Sequence, residues 1–233
     1  MLSWFPQNIS TFGGDIDQVF TLIYRIVGVW FLAAEGMLIY FVLRYRRRPG
    51  RAAAYVRGDR WGQLAWVLVP AVVVLALDLS IDSVSAPAWA RIKERLPATG
   101  MDVIVTAKQF NWRFTYPGPD GRLETPDDVT VDNELHVQAG ENVRFALRSE
   151  DVLHSFFIPA VRLKQDIIPG RTIKGWFNVE PAHAGTTSTT YELPCAELCG
   201  FGHYTMRGFL VVHTPDDWKK WAAEHLAPPP AAQ

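Results

Sequence analysis

Cysteine is scarce. The 233-residue chain has two, Cys195 and Cys199, so at most one internal disulfide is possible. No Cys-x-x-Cys-His occurs, which excludes a c-type haem attached to this chain. No Lys or Arg precedes Val19, so the start does not read as a signal-peptide n-region, and the first apolar run is expected to stay in the mature protein. No internal repeat is present. Net charge is also small, at −1, but it conceals an asymmetry: residues 101–226 hold 17 acids and 12 bases, whereas residues 1–100 hold 7 acids and 11 bases. Such a split implies two environments rather than one globule.

Apolar residues concentrate before residue 82. "VFTLIYRIVGVWFLAAEGMLIYFVL" (Val19–Leu43) is long enough to cross a bilayer, which takes about 20 mostly apolar residues. "WGQLAWVLVPAVVVLALDLSI" (Trp61–Ile81) reads as a second span, with Trp61 as an interfacial anchor and Pro70 tolerable in a packed membrane helix. Between them "RYRRRPGRAAAYVRGDR" carries seven arginines and one aspartate. Short basic loops stay on the cytoplasmic side, so the hairpin is expected to place both termini outside, and the loop suits anionic lipid. Glu35 interrupts the first span, and intramembrane acids are functional candidates by default.

From Met101 the apolar period becomes two, as in "MDVIVTAKQFNWRFTY". "ELHVQAGENVRFALRS" reads as strand, turn at Ala139–Gly140 and strand, with Leu135 and Val137 matched by Val143, Phe145 and Leu147. Further short β-rich runs separated by Gly and Pro predict an all-β sandwich or barrel. "TPDDWKKWAAEHL" predicts a terminal helix capped by Thr214, with Pro215 at its first position. The expected organisation is an external segment at 1–17, spans at 18–45 and 61–82 around a cytoplasmic loop at 46–60, a connector at 83–100, an external β domain at 101–226 and a disordered tail at 227–233.

"CAELCGFGHYTM" (195–206) gathers both cysteines, His203 and Met206. A disulfide would explain only the cysteines. A nucleophilic cysteine needs an activating base, and two thiols this close tend to oxidise together. Zinc would take Cys195, Cys199, His203 and a distant histidine, leaving Met206 unused. Copper accounts for every member, because thiolate, thioether and imidazole all suit it. His154 in "DVLHSFFIP" is the best remaining ligand, while His136, His183, His213 and His225 read as ordinary surface or core histidines.

The cluster fits C-x-E-x-C-G-x-x-H-x-x-M and resembles the dinuclear copper A signature of subunit II of haem–copper (cytochrome c) oxidases. "DVLHSFFIPAVRLKQDIIPGR" is similar to the same family's first-histidine segment, and the likeness extends over essentially the whole chain. The resemblance implies a membrane-anchored α + β protein: a two-helix transmembrane hairpin, a cupredoxin-like Greek-key barrel and a short C-terminal helix. It implies two copper ions held by His154, Cys195, the Glu197 carbonyl, Cys199, His203 and Met206, with the Glu197 carboxylate reaching a magnesium ion shared with subunit I. Electrons would come from a c-type cytochrome and pass to haem in subunit I. That subunit, with subunit III as a further neighbour, reduces oxygen to water and translocates protons in a bacterial inner membrane. No nucleic-acid partner is implied.

Glu124, Asp127, Asp128, Asp132, Glu134, Glu141, Glu150 and Asp151 form an acidic field able to steer a basic cytochrome, with Asp132, Glu134, Glu150 and Asp151 as docking candidates. "QFNWRFTYPG" departs from the family's Trp-Tyr-Trp run: Phe110 and Asn111 replace the first two, leaving Phe110 and Trp112 as candidates for receiving electrons. Phe156 stands where tryptophan is common. Gln63 stands at a proton-channel glutamate position and cannot titrate, and Glu35 is a candidate proton-related group. Alternatives are a copper A subunit of a nitric oxide reductase, a metal-free subunit II of a quinol oxidase and a membrane-tethered copper carrier. The intact ligand set speaks against the metal-free subunit, and a closed site predicts retention of metal rather than exchange.

Overall fold

A computed structural model describes residues 5–185 and 188–226 in two compact units. The predicted tail at 227–233 lies outside the described residues.

One unit is the hairpin. Helix α1 spans Gly13–Arg44 and α2 spans Trp61–Trp89, so α1 begins before the expected span and α2 continues past Asp82 through Pro87. Both are long and apolar enough to cross a membrane. No residue of α2 is buried, although Val, Leu and Ala cover it on all sides. A helix that is apolar all round and uncovered in water would be unstable; lipid is the solvent that removes the cost. At the start of α2 the Gln63 Oε1 accepts a hydrogen bond from the Gly58 amide at 2.7 Å, a capping use for this uncharged side chain.

The other unit is a β sandwich. Its strands are β1 (Met101–Lys108), β2 (Asn111–Tyr116), β3 (Val129–Asp132), β4 (Glu134–Gln138), β5 (Asn142–Ser149), β6 (His154–Ile158), β7 (Leu163–Ile167), β8 (Ile173–Asn178), β9 (Thr189–Pro194) and β10 (Arg207–His213). One sheet has the order β3-β2-β1-β5-β8, a second β4-β10-β9, and β6-β7 forms a ladder linked to the second by an isolated Phe156–Cys195 bridge. β1 runs parallel to β5 and β4 parallel to β10, while the other pairs are antiparallel. Period-two burial sends Trp112, Phe114 and Tyr116 of β2 and Val143, Phe145 and Leu147 of β5 inward. The apolar positions of β4 and β5 do match, but in different sheets. The Ala139–Gly140 turn carries the chain between the sheets instead of closing a hairpin, and Gly140 takes the φ of +85° this needs.

The segment preceding α1 is part of the sandwich, a placement that alternation in "NISTF" did not reveal. Ile9 and Phe12 are 0% exposed. Ser10 bridges Val179, its Oγ donates to the Val161 carbonyl at 2.8 Å, and the amides of Ile9 and Thr11 donate to Ala160 and Asn178. At the far end, helix α3 (Pro215–His225) starts as expected, with Thr214 Oγ1 accepting from the Asp217 amide. Trp221 of α3 stacks on His136, whose Nδ1 lies 2.9 Å from His213 Nε2. Ser188 Oγ lies 2.7 Å from His213 Nδ1 and Glu134 lies 3.1 Å from His136 Nε2. These histidines are buried and hydrogen-bonded, as core histidines must be.

Candidate metal centre

The donor atoms sit on one loop and one strand end. Residues 195–206 connect β9 to β10, and their two ends meet: the Cys195 amide donates to the Met206 carbonyl at 3.0 Å, adding a rung beyond the Pro194–Arg207 pair. Ala196 donates to the Ser155 carbonyl, which joins the loop to β6 directly beside His154. Between these anchors Gly200, at φ +133°, reverses the chain, and a single 3₁₀ turn over His203–Thr205 returns it to β10.

This folding brings the predicted donors together. Cys199 Sγ is the hub, 3.5 Å from His203 Nδ1, 3.7 Å from Met206 Sδ and 4.0 Å from Cys195 Sγ. Cys195 Sγ lies 3.9 Å from His154 Nδ1 and 3.3 Å from the Glu197 carbonyl oxygen. His154, Cys195 and Cys199 can offer ligand atoms all within 4.8 Å of one another. Both cysteines are free thiols, so the disulfide alternative is not the arrangement here. His154, Cys195, Cys199 and Met206 are buried.

Electrostatics favours a cation. Burial, and secondarily the neighbouring Cys195, push the Cys199 thiol up to about 11. Without positive charge the Cys199 thiol stays protonated; a soft metal ion removes the proton and stabilises thiolate. The outer groups match this use. Asp151 Oδ1 lies 2.8 Å from His154 Nε2, leaving Nδ1 turned to the sulfurs, the carboxylate–histidine arrangement that orients metal ligands. Burial alone would raise the Asp151 pKa, but hydrogen bonds from His154, Gln109 and Val152 outweigh it and hold the group below its ordinary value. Trp112 packs edge-on to His154 at 6.3 Å and to Phe156 at 5.7 Å, walling the inner side with apolar surface.

The remaining candidates are distributed differently. Trp112 is fully buried, whereas Phe110 lies over the ligand loop, so close that a Cβ at Gly202 would stand 2.5 Å from its ring. The docking acids have partners within the domain. Arg113 lies 3.3 Å from Glu150 and 3.8 Å from Asp132, Glu134 meets His136, and Asp151 meets His154. What projects beside the donor cluster is apolar: Leu198 is 76% exposed, Phe201 96% and Tyr204 80%. The sequence signal for that patch was present in the loop itself, as large apolar residues between ligands. Glu35 is exposed on α1, in the hairpin unit, and is not part of this cluster.

A β sandwich preceded by two bilayer-length helices, with a buried His154, Cys195 and Cys199 cluster that can hold a metal ion, defines a membrane-anchored protein with an extramembrane β domain. Comparison gives the family. Residues 101–214 match the periplasmic domain of cytochrome c oxidase subunit II. The alternative cytochrome c oxidase subunit 2 of Bradyrhizobium diazoefficiens is 31% identical over 94% of this chain and 83% of its own length. Cytochrome c oxidase subunit 2 of Thermostichus vulcanus is 30% identical over 95% and 78%. The crystal structure of the periplasmic domain of subunit II of the Bradyrhizobium japonicum cytochrome oxidase aligns with 25% identity and a TM-score of 0.47, covering 56% of this chain and 96% of that one. The chain belongs to the cytochrome c oxidase subunit II family.

Proposed function

We propose that the cluster holds two copper ions through His154, Cys195, the Glu197 carbonyl, Cys199, His203 and Met206, and that the chain relays single electrons from a c-type cytochrome to haem in subunit I. One observation carries this reading: Cys199 Sγ has sulfur from Cys195 and Met206 and nitrogen from His203 all within 4.0 Å, and the Met206 thioether among them suits copper but would go unused at a zinc or carboxylate-metal site. The copper pair, when bound, supplies reversible one-electron acceptance.

The chain's own residues serve that use by changing little. Asp151 keeps the His154 ring from turning, and the added Cys195–Met206 rung fixes both ends of the loop. Trp112 and Phe156 keep water from the inner side, so less solvent must reorganise when charge changes. The donor set is closed, without the open position a substrate-converting metal needs. Oxygen reduction and proton translocation therefore belong to the partner subunits, with subunit III as a further neighbour. In this reading the Glu197 carboxylate serves a magnesium ion at the boundary with subunit I, and Glu35 acts as a proton-related group or as a polar contact to that catalytic subunit.

Topology follows from connectivity and charge. Segments before α1 and after α2 build one sandwich, which supports two spans with both ends on the same side, and the arginine-rich 46–60 loop supports that side being periplasmic in a bacterial inner membrane. The test is metal content and electron paramagnetic resonance of the purified oxidised chain. Two coppers sharing one unpaired electron are the expected result; zinc, or a Cys195–Cys199 disulfide that resists copper loading after reduction, would overturn the reading.

A further inference from the structure

His154 and Cys199 stand on separate segments, the strand β6 that follows the β5–β6 loop and the β9–β10 loop. A third segment touches both. β1 and β2 are joined by a two-residue turn, Gln109–Phe110, directly after the Lys108–Asn111 pair. The main-chain N–H of Gln109 donates to Asp151 Oδ2 at 2.7 Å, and the other oxygen of that carboxylate meets His154 Nε2 at 2.8 Å. The side-chain amide of Gln109 donates to the Cys199 carbonyl at 2.6 Å.

The geometry points to Gln109 as a positioning residue that locks the spacing of His154 against Cys199, and thereby the retention and potential of the metal held between them. A carboxylate bound at both oxygens cannot rotate, so the Gln109 amide fixes the direction of Asp151 and, through it, the imidazole. A carbonyl held by a charge-neutral donor fixes the peptide plane after Cys199, and with it the direction in which the hub thiol leaves the chain. Gly200 fits this role twice. Its φ of +133° excludes other residues, and a Cβ there would stand 2.5 Å from Gln109 Nε2, expelling the amide. Glutamine at 109 is exposed and needs no partner for solubility, so its commitment to a carbonyl 90 residues away costs rotamer freedom for a positional return.

The proposal rests on the copper reading for its potential and retention, but not for its geometry, and the experiment separates the two. Cys199 is buried, so alkylation by iodoacetamide in the metal-free full chain reports opening of its loop. Gln109→Leu keeps the size of the side chain and every main-chain bond while removing the donor. It is expected to raise the rate of Cys199 alkylation about tenfold and to speed copper release to a chelator by about tenfold or more, with a shifted reduction potential. Gln109→Glu, which presents an acceptor to an acceptor, should match or exceed this effect.

Unchanged alkylation and release, within twofold, would overturn the proposal. Should the leucine chain unfold, Gln109→Asn decides the matter: it stays polar but is one methylene short, so wild-type behaviour in that variant also overturns it. Faster alkylation in a chain that binds no copper even as wild type upholds the lock and sinks the copper reading instead.

Discussion

Asp151 Oδ1 and His154 Nε2 face each other at 2.8 Å, so this acid orients an imidazole of the donor cluster. Replacing Asp151 with alanine frees that ring and leaves its Nε2 without a partner. Copper affinity is expected to fall about 10–100-fold, as for other outer partners of metal-ligating histidines, and competition with a chelator of known affinity measures it.

Docking of a cytochrome should depend weakly on the paired acids. Glu150 and Asp132 share Arg113, an exposed arrangement that leaves little free field. Glu150→Gln with Asp132→Asn is expected to lower the second-order rate of reduction less than threefold, whereas Phe201→Ala should lower it about tenfold, equivalent to about 1.4 kcal/mol. Stopped-flow reduction across a range of ionic strength distinguishes the two, and a steep loss on neutralising the acids would restore the electrostatic account.

Acid should weaken the packing of α3. Burial, and secondarily the neighbouring His136, depress the His213 pKa to about 4, and burial likewise lowers His136, with Glu134 opposing in part. The unfolded rings titrate near 6.5 and take up protons first, so the stability present above that pH declines as pH falls, until the folded group titrates near 4. Between pH 8 and pH 5 the loss from His213 is about 1–2 kcal/mol. Chemical denaturation at the two pH values should show it, and His213→Gln should flatten the difference.

Truncating Phe12 tests the segment before α1. The ring is fully buried and meets Trp176 edge-on at 5.5 Å. Phe12→Ala is expected to destabilise the sandwich by about 3–5 kcal/mol, the usual cost of emptying a buried aromatic site. An unfolding midpoint that does not move would show that the segment is dispensable.

The elements legible in the sequence are those whose information is local. The β9–β10 loop carries four candidate side-chain donors within twelve residues, so their spacing is visible locally, whereas the bonds from Gln109 and to Ser155 that anchor the loop are not. Alternation in β2 and β5 showed inward faces for the same reason. Pairing is not local: the Ala139–Gly140 turn looks like a hairpin until the partners of β4 and β5, β10 and β1, are known. Sign alone is legible for the acidic residues, but their use depends on partners distant in sequence: Arg113 for Glu150 and Asp132, and the Gln109 amide for Asp151. Ile9 and Phe12 follow no period, because they fill gaps in the sandwich and do not line a face.

Ser10 and Val161, joined by the hydroxyl hydrogen bond, are separated by 151 residues. The segment before α1 thus finds its place late, since the edge that receives it is complete only after Asn178 has been synthesised. Until then the hairpin must already be threaded and the leading segment left waiting, which ties maturation of the sandwich to completed membrane insertion and makes its assembly slow relative to a chain of local contacts.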